Sequence, residues 1–417
     1  MGPNLAMDFS PLRRHRDYRF LYIAQSVSFL GTMMTYVALP YQVFQLTHSS
    51  FQVGLLGLAE LIPLLMTAFI GGALADSVDR RRMVIVTDIF LAGGSLTLAL
   101  LAFRGAPPVW SLYLLAGFMS GMNGLQRPSI DALMPRLVPR EDLMAAAALS
   151  SFRGSFIMIV GPAIGGVLIA SMGLAFTYAM DVVSYGLALA CVVMIRKVSV
   201  PPGAERPTLE SVREGFRYAR SRQELVGTYV VDFVAMIFGM PMALFPALSE
   251  KLGGPGVLGV LYASPAVGAF IASLTSRWTH RVRRHGLAVT VAASVWGVAI
   301  VIFGFCDSIL PATFFLSIAG GADAVSGIFR STLWNQTIPD NLRGRLAGIE
   351  MVSYMSGPML GHLEAGMAAA AFGVRASVVS GGVLCVVGVA ACALMLPKFI
   401  SYDADEFKKA RLKAMTP

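Results

Sequence analysis

The run 84–103, VIVTDIFLAGGSLTLALLAF, holds a single charge and has about the 20 residues a helix needs to cross a bilayer core of about 30 Å. The recurrence of such runs constrains this chain more than any other feature. Twelve spans are expected, at about 18–46, 50–76, 83–104, 109–135, 143–171, 174–195, 225–250, 256–277, 286–306, 310–337, 343–371 and 373–396. Charged residues make up only 14% of the chain, against roughly 25% in an average soluble domain. The runs are too long and too uniformly apolar for the alternating strands of a membrane barrel, and an open sheet in lipid would leave backbone groups without partners. The fold class expected is therefore an all-α polytopic membrane protein.

Residues before Tyr18 include Arg13, Arg14 and Arg16 but no short apolar core with a small-residue cleavage site, so the first span is expected to be retained. The net charge of +9 reflects placement rather than nucleic-acid binding. Of the 33 Lys and Arg, Arg104, Lys251 and Arg375 fall outside, Arg127, Arg153 and Arg330 fall within spans, and the rest face the cytoplasm if both termini do. That asymmetry sets the orientation. Cys191, Cys306, Cys385 and Cys392 lie in or at the ends of spans with no CxxC spacing, and His48, His280, His285 and His362 show no ligand spacing. Neither disulfides nor a metal is expected. There is no GxxxxGK[ST] loop and no nucleophile–base set, so neither ATP drive, nor another cofactor, nor enzymatic chemistry is expected.

The halves of the chain resemble each other at an offset of about 200 residues. Gly124, Arg127 and Ser129 match Gly327, Arg330 and Thr332; Pro40 and Phe44 match Pro241 and Phe245; Gly161-Pro162 matches Gly357-Pro358. Such symmetry is expected of repeat-built transporters. The organisation expected is a six-helix half at 1–195, a cytoplasmic linker at 196–224, a second half at 225–397 and a cytoplasmic tail at 398–417.

Between the second and third spans stands Gly72-Ala-Leu74-Ala-Asp76-Ser-Val-Asp79-Arg80-Arg81-Arg82. It resembles the loop signature of the major facilitator superfamily, with Ser77 in place of a basic residue and Asp79 in place of a glycine. Gly161-Pro162-Ala-Ile-Gly165-Gly166 resembles part of the antiporter signature of drug and metabolite exporters. The patterns at 49–55, 135–149 and 342–350 look like the branch of drug–proton antiporters that contains bacterial macrolide-efflux proteins and the enterobactin exporter. The resemblance covers essentially the whole chain and implies the major facilitator fold, alternating access and efflux of the multidrug-resistance kind. It also implies a conformational latch: Gly72 would admit the eleventh helix, Asp76 would face that helix's N-terminus, and Arg80 or Arg81 would bridge to Asp131.

Ionisable residues within spans are candidates for transport chemistry because burying them is costly. The resemblance places helices one, four, seven and ten around a cleft, which promotes Arg127, Asp232, Asp323 and Arg330. Asp232 and Asp323 are the first candidates to carry a proton and Glu60 the next; a structural ion pair is the alternative for each. Arg153 could pair with any of several acids, and Asp181 is expected to be structural. Tyr22, Gln25, Phe29, Thr32, Tyr36 and Pro40 recur at helical spacing in the first span and are joined by Met236 and Met240 in the seventh. This stripe is either the wall of a substrate cleft or ordinary helix packing. The reading favoured is a proton-coupled exporter of bulky amphiphiles in a bacterial inner membrane, with small-molecule substrate, protons and lipid as partners, and monomeric. An importer or facilitator of a nutrient, and more remotely a membrane sensor, are the alternatives.

Overall fold

The computed structural model describes residues 7–77, 79–196, 216–339 and 342–404. The apolar runs fold as helices in the order expected, and the described residues contain no strand beyond one isolated bridge, Arg284 with Asp403. After a short α1 (Ser10–Arg14) come α2 (Arg16–Thr47), α3 (Ser50–Ser77), α4 (Arg80–Phe103), α5 (Val109–Leu137) and α6 (Leu143–Val193). The second part of the chain supplies α7 (Gln223–Phe238), α8 (Phe245–Leu252), α9 (Pro255–Leu274), α10 (His285–Gly304), α11 (Ile309–Thr337), α12 (Arg343–Phe372), α13 (Val374–Met395) and α14 (Pro397–Ile400). Among the described residues, nine helical stretches are long and apolar enough to cross a membrane.

Two expected spans, 143–171 and 174–195, are joined in α6, which breaks at Gly173 with φ 83° and ψ 174°. Only glycine adopts that combination readily. Gly373, 200 residues later, does the same between α12 and α13 with φ 88° and ψ 158°. The backbone thus repeats its hairpin at the offset of the sequence repeat.

The seventh span corrects the sequence reading of one helix over 225–250. The helix α7 ends at Phe238, a 3₁₀ turn covers Pro241–Leu244, and α8 follows. Pro241 has no N–H to continue the ladder and disfavours helical geometry at the residue before it. The carbonyl of Gly239 at the break accepts a hydrogen bond from the Trp296 indole N–H at 3.0 Å. In contrast, Pro40 is carried inside α2 without ending it.

The chain forms two compact units: residues 1–47, 59–206 and 254–263 in the first, and 48–58, 207–253 and 264–417 in the second. In the first unit α2 packs along α6, and α4 packs on both α5 and α6. The glycines of the GPxxGG stretch explain the closeness. A methyl at Gly165 would lie 3.1 Å from the Met34 Cα, and one at Gly166 would lie 2.6 Å from the backbone nitrogen of Gly259. In the second unit α10 packs on α11 and α13, and α7 on α12 and α13, while Gly54 meets Gly366 with equal closeness. Lipid offers apolar side chains no drive to leave it, so small residues that let backbones meet do much of the joining.

Asp79, the acid at the signature's glycine position, caps α4: its carboxylate accepts from the backbone N–H groups of Arg81 at 3.0 Å and Arg82 at 3.4 Å.

Candidate functional site

Polar side chains cluster within the apolar packing of each unit. In the second unit, Asp323 and Arg330 lie seven residues apart on α11, two helical turns along one face. Arg330 forks between two acids. Its Nη1 pairs with Asp232 Oδ1 on α7, and its Nη2 lies 3.6 Å from Asp323 Oδ1. The Asp232 and Arg330 side chains are 8% and 12% exposed, whereas Asp323 is 42% exposed. Asp232 is thus an inner acid and Asp323 an outer one, sharing a single cation. Glu350 of α12 is within electrostatic reach of both Arg330 and Asp232, so carboxylates outnumber the guanidinium around this cluster.

A second contact holds α7 and α11 in this register. One turn before Asp232, Thr228 Oγ1 accepts a hydrogen bond from the Trp334 indole N–H at 2.8 Å, and Tyr229 stacks on the same indole at 5.5 Å. Trp334 stands one turn after Arg330 on α11. These aromatic neighbours escaped the sequence reading because an apolar run gives no sign of which aromatics meet across helices.

In the first unit, Tyr18, Leu21, Tyr22 and Gln25 of α2 face Ile130, Asp131 and Met134 of α5 and Ser150 and Arg153 of α6 around a cavity of about 290 Å³. The Tyr18 hydroxyl donates to the Ala146 carbonyl at 3.0 Å and the Tyr22 hydroxyl to the Leu149 carbonyl at 3.4 Å. Both phenols are thereby pinned to α6. Of the expected stripe, Tyr22 and Gln25 line this cavity. Phe29 is half-buried. Thr32 is turned instead to the Tyr185 hydroxyl, 2.9 Å away. Tyr36 sits edge-on to Tyr262 at 5.4 Å, and Glu60 on α3 is within electrostatic reach of both phenols.

The other expected residues are placed as follows. Met236 is buried against α12, where a methyl on Gly357 would come within 2.9 Å of its Cβ, and Met240, half-buried, meets Gly361 in the same way at 3.1 Å. Both methionines thus pack over glycines of α12. Arg81 caps the end of α6, its Nε donating to the Val192 carbonyl at 3.0 Å and its Nη2 to that of Val193 at 2.5 Å. A cation there answers the negative end of the helix. Arg80 donates to the Ala132 carbonyl at 3.4 Å, next to Asp131. Arg127 is exposed one turn before Asp131 on α5. Gly72 and Asp76 lie outside the residues whose side chains are described.

Asp181, fully buried, accepts from the hydroxyls of Thr35 at 2.6 Å, Ser95 at 2.7 Å and Ser184 at 3.2 Å, which tie α2, α4 and α6 together. Nearby, the Gln126 amide donates to Asp88 at 2.5 Å. Replacing Asp181 by leucine strands the buried hydroxyls of Thr35 and Ser95 at about 1–3 kcal/mol each, less whatever they recover from backbone carbonyls, whereas Ser184 keeps its 2.7 Å bond to the Asp181 carbonyl. Asp181→Leu should lose most folded protein in fluorescence-detected gel filtration while Asp181→Asn, which keeps an acceptor, retains it; equal recovery of the two would refute the bracing role.

Helices of bilayer length, arranged in two compact units with charged clusters inside each, define a polytopic membrane transporter. The fold agrees with solved transporters: the nucleoside transporter NupG superposes with a TM-score of 0.73 at 10% identity, over 93% of this chain and 98% of that one. A bacterial homologue of the human lysosomal transporter Spinster, solved inward-facing and unoccupied, gives 0.73 at 16% identity over 93% and 98%. The chain belongs to the transmembrane secretion effector family of the major facilitator superfamily, whose profile matches residues 6–415. Enterobactin exporters EntS of Citrobacter koseri and of Shigella boydii serotype 18 are each 27% identical over 385 residues, 92% of this chain and of theirs. The protein is a secondary transporter of the major facilitator type, acting in efflux across a membrane, and not an enzyme.

Proposed function

We propose that this chain exports bulky amphiphilic compounds, siderophore-like or drug-like, from the bacterial cytoplasm by alternating access in exchange for protons. It works as a monomer in the inner membrane with both termini cytoplasmic, and its two six-helix halves, 1–195 and 225–397, rock about the cytoplasmic linker. Relatives named as exporters of the siderophore enterobactin favour the direction and the substrate class. The observation that carries the coupling is the Arg330 fork between Asp232 and Asp323. One cation between two acids can satisfy one fully while the other takes a proton. A tilt of α7 against α11 that passes Arg330 from one acid to the other would then release a proton from one and bind one at the other. Glu60, placed with Tyr36 and Tyr262, is the third proton candidate. Tyr22, Gln25, Phe29, Tyr36 and Arg127 remain the substrate-facing candidates of the first unit, and Gly72, Asp76, Arg80 and Asp131 those of the latch.

The test uses proteoliposomes with enterobactin as probe and an imposed pH gradient. Uphill movement should collapse with an uncoupler, and in Asp232→Asn and Asp323→Asn it should fall to background while binding and downhill exchange persist. Uphill movement that survives both substitutions and vanishes only in Glu60→Gln moves the proton site there; if it survives all three and the uncoupler, proton coupling is wrong.

A further inference from the structure

Among the described residues, Arg153 is a cation without a carboxylate partner. It projects from α6 into the cavity of the first unit, and no carboxylate among the described residues forms an ion pair with it. Its Nε is shielded from solvent and lacks a hydrogen-bond acceptor. Its guanidinium carbon sits 5.5 Å from the centre of the Tyr22 ring. That contact stabilises a cation but accepts none of its N–H bonds. The Nε is a structural cost rather than a contact point, and the charge of the guanidinium on the cavity wall is what an oxyanion would answer.

The rest of the cavity specifies that ligand. Tyr22 stands 6.2 Å from the fully buried Tyr18 with its hydroxyl already committed to α6, so it offers its ring rather than a polar tip. The Gln25 amide has no partner among the described residues and can serve a hydroxyl or carbonyl. Among the described residues Asp131 is the one acid on the wall. It is exposed, and the cation acting on it is Arg127, one helical turn away on α5. With Asp131 engaged there, Arg153 is the charge on the wall left for a ligand to answer, so the cavity favours an anion. Its volume of about 290 Å³ suits one or two rings rather than a whole bulky amphiphile.

We infer that this cavity is a subsite for an aromatic acid, a ring bearing a carboxylate or an ionised phenol, which docks its oxygens on Arg153 and its ring on Tyr22. Guanidinium binds such oxygens in pairs and stacks on rings, which an ammonium does less well. The inference rests on the exporter reading and adds that the substrate is recognised as an anion through its acidic aromatic end. A neutral or cationic amphiphile of the same size would leave Arg153 unanswered.

The experiment is equilibrium dialysis on the full chain in nanodiscs with a matched pair of probes, 1-hydroxy-2-naphthoate and its uncharged amide. The acid should bind at least about tenfold tighter than the amide, the scale of one hydrogen bond to a charged group. Arg153→Gln should erase that preference without weakening the amide, and Arg153→Lys should keep part of it. If Arg153→Gln does not fold, Met134→Trp, which fills the cavity and leaves the charges, should abolish binding of the acid. Equal binding of acid and amide, no binding of either, a preference that survives Arg153→Gln, or acid binding that survives Met134→Trp overturns the subsite. Because binding is read without a gradient, those results leave the exporter reading standing, whereas loss of uphill transport with the acid preference intact would count against coupling alone.

Discussion

Arg330→Gln should lower transport by at least about a hundredfold and remove most folded protein from the membrane, and adding Asp232→Asn should restore the protein but not uphill export. Removing one partner of a buried pair leaves the other charge without compensation, at about 3–5 kcal/mol. Asp232, 8% exposed and paired with Arg330, is that charge. Asp323 suffers less, because at 42% exposure it keeps access to polar surroundings. The double substitution removes the stranded charge together with its former partner, so folding recovers if the pair is the cause. Coupling does not recover, because the fork that would pass between two acids has gone. Normal abundance of Arg330→Gln, or no improvement in the double variant, would show that the ion pair does not hold α7 to α11.

The charged residues of both clusters are legible in the sequence because a charge in an apolar run advertises itself, and the helices that the family resemblance places around a cleft promote Asp232, Asp323 and Arg330 among them. Their pairing was not, since helical spacing places Asp323 and Arg330 on one face but says nothing of which face of α7 they meet. The same limit applies to Arg153, whose many possible acids reduce to none among the described residues once α2, α5 and α6 are placed. Packing glycines are hidden for the same reason. Met236 and Met240 read equally as cleft wall or as packing, because the glycines they pack on, Gly357 and Gly361, lie more than a hundred residues away. The end of α7 was legible in principle, since Pro241 signals it, yet Pro40 sits inside an unbroken helix at the repeat-related position. The difference lies in tertiary support: Trp296 receives the carbonyl freed at Gly239.

Gly166→Val should cut transport by about a hundredfold, and Gly259→Val should do the same, although neither glycine touches a charged cluster. A methyl on Gly166 would lie 2.6 Å from the Gly259 nitrogen and 2.7 Å from its Cα, and one on Gly259 would lie 3.0 Å from the Gly166 nitrogen and Cα. The obstacle on each side is backbone, which cannot swing aside as a side chain can, so α6 and α9 must part. Overpacking of this kind costs about 1–3 kcal/mol even where neighbours relax. In lipid the separated faces gain nothing from expelling water, so no compensating drive closes the gap. Gly161 and Gly165 of the same stretch meet Met33 and Met34 on α2, so the whole GPxxGG run is a surface on which two helices cross closely. Its match to an antiporter signature therefore has a packing counterpart: α6 runs close to two neighbours at once along these glycines. Gly186→Ala is the control, since a methyl there meets nothing within 4 Å and should raise helix stability by roughly 0.5–1 kcal/mol. Uphill transport per folded molecule separates the cases, and wild-type transport by Gly166→Val would show that the crossing tolerates parting and that the motif serves something other than close approach.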